Sequence, residues 1–132
     1  MSIEKQKSIV NQFFLDVLKE GKLEILDLIL DSECLYFDGG KLKYSNREDF
    51  IEYVREARKP FTTTDVVVDD IIAEGDRVAT RCTYLLETKR DRVTVSVMGF
   101  FQFFEGKIVK IWRNVVAISE YEYETPNIGD DG

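Results

Sequence analysis

A chain of 132 residues, 44% hydrophobic and 33% charged, has room for one core and does not have a disordered composition. Its formal charge of −7, from 18 basic and 25 acidic residues, speaks against nucleic acid as a partner. The only basic cluster, Thr88 to Arg92, is interrupted by Asp91 and reads as a solvated hairpin loop. Histidine is absent, which removes the usual general base, the usual zinc ligand and every Ser-His or Cys-His device. The N-terminus is charged where a secretory segment is apolar, and no apolar run approaches about 18 residues. The expectation is a cytoplasmic protein with no membrane span. Cys34 and Cys82 lack CxxC spacing and read as free buried thiols. No acids are spaced as metal ligands, so no metal is expected.

In chain order, Ile9, Val10, Phe13, Phe14, Val17 and Leu18 recur at helical spacing between a Ser2 cap and Gly21. Lys22 to Asp31 is apolar around most of its circumference and predicts a short, largely buried helix. Cys34 to Asp38 reads as a strand that stops at Gly39-Gly40. Ser45, with Glu48 three residues on, predicts a capping box for a third helix. That helix carries Phe50, Tyr53, Val54 and Ala57 on one face and ends before Pro60. From Thr62 onward the pattern becomes four β-rich arms, turning at Ala73–Arg77 and at Glu105-Gly106-Lys107. In "FFQFF", Phe101 and Phe103 face one way and Phe100 and Phe104 the other. Helices followed by a long antiparallel meander predict an α+β fold, helices gathered on one face of a curved sheet. Residues 1–119 form the single domain and residues 120–132 an acidic, frayed tail. Leaving several Phe side chains open would forgo about 1.5–3 kcal/mol each, which predicts a two-fold homodimer.

Glu74-Gly75-Asp76-Arg77-Val78, then Phe104-Glu105-Gly106-Lys107-Ile108-Val109 and Trp112, stand in this order behind three helices. This arrangement resembles the nuclear-transport-factor-2-like superfamily, in its SnoaL-like and steroid-isomerase-related branch, over Ile9 to Val116. The resemblance implies a cystatin-like conical barrel. Three N-terminal helices pack on the concave face of a curved antiparallel sheet around a deep apolar pocket, and the convex face dimerises. It also implies cofactor-independent proton-transfer chemistry, isomerase or cyclase, on a small hydrophobic carbonyl-bearing substrate. The alternative is a non-catalytic ligand-binding or dimerisation protein of the same fold.

By resemblance, Asp38 in "YFDGG" corresponds to the aspartate that moves a proton in the steroid isomerases; the plainer reading is an Asp-Gly turn. The isomerases' two hydrogen-bond donors fall on Phe14 and on Gly99, or Met98 if the register slips. None of these donates from its side chain, which counts against steroid isomerisation. Limonene-type epoxide hydrolases carry an Arg on a strand like that of Arg81, with an Asp two residues on and an acid after a Trp-Arg pair. Here those positions are Thr83 and Asn114, which counts against epoxide hydrolysis. SnoaL-type cyclases place an Asp directly after the Trp, where this chain has Arg113.

The expected catalytic set is Asp38 as candidate base, with Arg81 or Asn114 orienting the polar group. The expected pocket is Phe14, Tyr36, Tyr53, Thr83, Phe101, Phe103 and Trp112. Strand parity is read with Trp112 and Asn114 inward and Arg113 in solvent. A β-bulge would reverse it and set Arg81 and Arg113 beside Asp38 as an anion or carboxylate site. Cys82, next to Arg81, falls on the opposite face and is not a pocket nucleophile. The expected partners are a small hydrophobic ligand and a second copy of the chain.

Overall fold

The structure is a computed structural model and describes residues 1–118. The tail expected at 120–132 lies outside the described residues. Helix α1 (Ile3–Gln12) runs without a break into a π-helical segment (Phe13–Lys19). Then follow α2 (Glu24–Ile29), β1 (Leu30–Asp38), β2 (Lys41–Tyr44) and α3 (Arg47–Arg58). The chain continues through β3 (Thr63–Glu74), β4 (Arg77–Glu87), β5 (Arg92–Phe104) and β6 (Lys107–Ile118). Ser2 caps α1 as its sequence position predicts, its Oγ accepting from the Lys5 amide at 3.1 Å. Gly21, at φ +82°, ends the helical run in a conformation that side chains disfavour.

The sheet has the order β2-β1-β6-β5-β4-β3, antiparallel throughout except for the parallel β1–β6 pair. It is curved and does not close, so the expected cone is an open sheet with β2 and β3 as its edges. The helices lie on one face: α1 and the π-helical segment over β3, α3 over β1, and α2 over β1 and β6. Alternation decides what they cover. Val78, Thr80, Cys82 and Tyr84 of β4 and Val95, Val97, Phe101 and Phe103 of β5 are all buried on that inner face.

An aromatic cluster fills the deep end of the concavity. Phe13 meets Phe14 edge-on at 5.2 Å, and Phe101 lies edge-on to both, at 5.3 and 5.7 Å. Gly99 permits this approach. A Cβ there would stand 2.8 Å from Thr80 Oγ1 and 3.3 Å from the Phe101 ring. The concavity is therefore tightly packed where Phe14 and Gly99 meet, with room left for only about 20 Å³.

Three local readings change. The cap of α3 is Asn46, one residue past Ser45; its Oδ1 accepts from the Asp49 amide at 2.8 Å, and its Nδ2 donates to the Asp49 carboxylate at 3.0 Å. The capping logic holds with Asn and Asp in place of Ser and Glu. Leu28 of α2 is 69% exposed, because only Leu26 and Ile29 reach the core. Strand β2, four largely exposed residues, hairpins onto β1 across Gly39 and Gly40 and had no alternating apolar signal to reveal it.

Candidate functional site

The site is set by a single irregularity in β6. Opposite β5, Phe103 pairs with Ile108 and Gln102 with Lys110, so Val109 is an extra residue in the ladder. Ile108 is inward before this bulge, and Ile111 is inward after it. The parity of everything downstream is reversed. Arg113 therefore points into the concavity, and Trp112 and Asn114 point out, opposite to the expected arrangement.

Arg113 lies beside Asp38 in the parallel β1–β6 register and beside Gly99 in the β5–β6 register. Its Nη2 donates to the Tyr53 hydroxyl at 2.7 Å, and the Asp38 carboxylate stands 3.8 Å from the same nitrogen. The guanidinium also lies 5.8 Å from the centre of the Tyr36 ring, a cation–π distance. Burial opposes its charge, but the surrounding tyrosine oxygens and Asp38 outweigh burial and hold its pKa above the ordinary arginine value. Its Nε is buried without a partner, as are the hydroxyls of Tyr36 and Tyr84. Burial raises the pKa of both tyrosines, with the charge of Arg113 pulling the other way, so both remain neutral donors.

Between this cluster and α3 lies a cavity of about 220 Å³. Its wall is mostly apolar, including Leu18, Val54, Val66, Leu86 and Val95, with Tyr53, Tyr84, Arg58 and Arg113 as the main polar groups. A second, inner cavity of about 20 Å³ sits among Phe13, Phe14, Tyr36, Phe50 and Phe101. It is barely large enough for one water.

The structure divides the expected site residues. Asp38 is half-buried and flanks Arg113, off the wall of either cavity. Tyr53 lines the main cavity. Phe14, Tyr36 and Phe101 border only the inner one, and Phe103 is packed in the core. Trp112 borders the inner cavity, yet its ring stacks on Phe37 at 5.3 Å and meets Phe100 edge-on at 5.6 Å, on the outer face. Asn114 is exposed opposite Met98 on that same face.

Arg81 is also outside. Its Nε donates to Asp70 at 2.8 Å, and Thr83 donates to Asp69 at 2.7 Å. The β6 bulge brings Arg113 inward without bringing Arg81, because β4 has its own parity and keeps Arg81 out. Cys82 faces inward, away from Arg81, but borders neither cavity; burial pushes both Cys82 and Cys34 up to about 12, so each is an unreactive thiol at neutral pH. Among the described residues, no group of His, Cys, Asp or Glu is placed to hold a metal ion.

A family model for the SnoaL-like domain matches residues 10–111. The chain belongs to the SnoaL-like domain family. Solved structures share its fold. An LEH-like epoxide hydrolase of Mycobacterium tuberculosis superposes with a TM-score of 0.75 at 21% identity, over 86% of this chain and 84% of its own. A protein of Jannaschia sp. CCS1, assigned as a SnoaL-like polyketide cyclase, gives 0.78 at 14% identity, over 87% and 88%. One of Acidithiobacillus ferrooxidans, assigned as a polyketide cyclase, gives 0.73 at 21% identity, over 87% and 91%. At these identities the likeness is one of fold. No curated protein matches the chain. Among the described residues, no helix is long and apolar enough to cross a membrane.

Within this SnoaL-like domain, sequence reasoning missed Tyr84 and Arg58 as site residues. Tyr84 was legible in principle: it shares the parity of Val78, Thr80 and Cys82, so its hydroxyl had to end inside. Arg58 had no comparable signal. It reaches the cavity from the last turn of α3, donating to the Leu18 and Lys19 carbonyls at 3.1 and 3.0 Å.

Proposed function

We propose that this SnoaL-like domain is a cofactor-independent small-molecule enzyme that moves a proton on a hydrophobic, carbonyl-bearing substrate. The observation that carries the reading is a half-buried guanidinium at the end of an apolar cavity, with a carboxylate 3.8 Å behind it. The substrate's carbonyl oxygen is placed toward Arg113, whose fixed charge stabilises an enolate oxygen as it forms. The Asp38 carboxylate takes the proton from the adjacent carbon and returns it at another, so the enzyme ends the cycle unchanged. Arg81 and Asn114, on the outer face, have no part in this scheme. Asp38→Asn is expected to lower turnover of a panel of enones, β-keto esters and lactones by about 10²–10⁴ while ligand affinity holds within a few-fold. Equal rates in variant and wild type would remove Asp38 from the mechanism.

One observation favours a second reading, a binding protein without chemistry. Asp38 is not on the wall of the cavity, so the reacting carbon must pass the barrier of Tyr53 and Arg113 to reach it. Ligand binding with no turnover of any compound in the same panel would establish that reading.

The outer face supports a homodimer as part of this proposal. Ile72, Ala79, Phe100, Trp112 and Phe37 are consecutive partners across five of the six strands, an apolar row with Met98 beside it. Such a row is well suited to a second copy. Phe100→Glu places a charge in its middle, and sedimentation equilibrium should show a dimer for the wild type and a monomer for the variant. A monomeric wild type at micromolar concentration would refute the dimer.

A further inference from the structure

We propose that the ligand of the main cavity is an anion, an organic monocarboxylate with an apolar body, held at its carboxylate by Arg113 and Tyr84. The inference rests on the second reading above, a binding site without chemistry, and adds the charge of its occupant.

The wall of the cavity carries two formal charges, Arg58 and Arg113, and among the described residues no Asp or Glu lies on it. That is unexpected in a chain with net charge −7. Arg58 is held by two neutral backbone carbonyls, which orient the guanidinium without cancelling its charge. Arg113 engages Tyr53 and Asp38 through Nη2 and leaves Nε without a partner. Tyr84, only 7% exposed, lines the same wall, and its hydroxyl, buried near the Arg113 guanidinium, has no acceptor.

A neutral carbonyl oxygen, with two lone pairs, could accept from both donors but would leave two cations facing an apolar space. A carboxylate accepts from both donors and supplies the missing charge, the stronger, charge-assisted form of the contact. Apolar walls of low dielectric focus the field of the two guanidiniums on the cavity, drawing anions and repelling amines. The apolar residues between Arg113 and Arg58 then take the body of the acid.

Calorimetric titration with phenylbutyrate, its primary amide and phenylbutylamine tests the assignment. The acid is expected to bind about tenfold or more tightly than the amide, with the amine weakest. Arg113→Gln should bring the acid to the level of the amide. Tyr84→Phe keeps the ring and removes the donor, and should weaken the acid several-fold with little change for the amide. Asp38→Asn, which removes the competing carboxylate, should strengthen binding of the acid. The last two variants keep the test decisive if Arg113→Gln fails to fold. An amide that binds as tightly as the acid, or a preference for the acid unaffected by all three variants, overturns the carboxylate and leaves the cavity a ligand site. Binding of none of the three probes overturns the ligand site itself and the proposal with it.

Discussion

Arg113→Met is expected to lower turnover of a carbonyl substrate by about 10²–10³ while leaving the domain as stable as before, or more stable. Both halves follow from one feature. The guanidinium is largely withdrawn from water, and its one nearby carboxylate, at 3.8 Å, is too distant for a tight ion pair. Desolvating a charge so weakly compensated costs stability, and a methionine of similar length fills the space without that cost. Little is stranded by the change. Asp38 is about one-third exposed and can be hydrated, and Tyr53 loses only a donor to its hydroxyl. What disappears is the fixed positive charge at the end of the cavity, which the proposed reaction needs when an oxygen becomes anionic. Thermal unfolding and substrate turnover measured on the same preparation check the pair of effects. Unchanged turnover with a large loss of stability would make Arg113 a structural residue and leave the cavity without its chemistry. A gain in stability at the expense of function is the usual sign of a site held in an unfavourable arrangement for activity.

The fold was legible in the sequence wherever a pattern repeated. Six apolar residues at helical spacing between Ser2 and Gly21, and long arms around Gly75 and Gly106, gave the helices and hairpins that the structure contains. The site was less legible, because it depends on a single residue in one strand. Val109 inserts into β6 without a glycine or any other mark to announce it, and the insertion exchanges the faces of Trp112, Arg113 and Asn114. Regular alternation from Ile108 would have placed Trp112 and Asn114 inside, as expected. The same alternation is unbroken in β4, where no bulge separates Val78 from Tyr84 in the pairing with β5. It sets Thr80, Cys82 and Tyr84 inside and Arg81 and Thr83 outside. These are the reverse of the expected faces, because the expectation put the arginine in the pocket and the strand's starting parity has no independent mark. Asp38 illustrates the other limit. A carboxylate at the end of an apolar strand is visible in "YFDGG", but whether it borders a cavity depends on side chains from α3 and β6 that no local pattern reveals.

Phe101→Ala is expected to cost about 3–5 kcal/mol of folding stability, the largest effect of any single truncation proposed for this domain. Domains of this size have roughly 5–15 kcal/mol in total, so the loss would lower the midpoint of thermal unfolding by roughly 10–20 °C. Phe101 is 1% exposed, meets Phe13 and Phe14 edge-on, and packs over Gly99. Removing the ring takes a partner from both phenylalanines at once. The surroundings can relax only partly, since Phe13 also stacks on Phe50 and Phe14 is fixed against the Gly99 backbone. Phe104→Ala, three residues along the same strand, is the control. That side chain has the opposite parity and is 64% exposed, so its removal should change stability by no more than about 0.5 kcal/mol. Two phenylalanines of one strand then differ by several kcal/mol because successive residues of a strand face opposite sides. The vacated volume also has a consequence for binding. Phe101 borders the inner cavity, which shares Leu18, Tyr53 and Arg113 with the main one, so removing the ring enlarges the space behind those three side chains. Once it is gone, longer apolar acids should gain affinity relative to short ones, and titration of an alkanoate series against wild type and variant would show it. An unchanged length preference would mean that Phe13 and Phe14 collapse into the gap, and the loss of stability should then fall toward the lower end of its range.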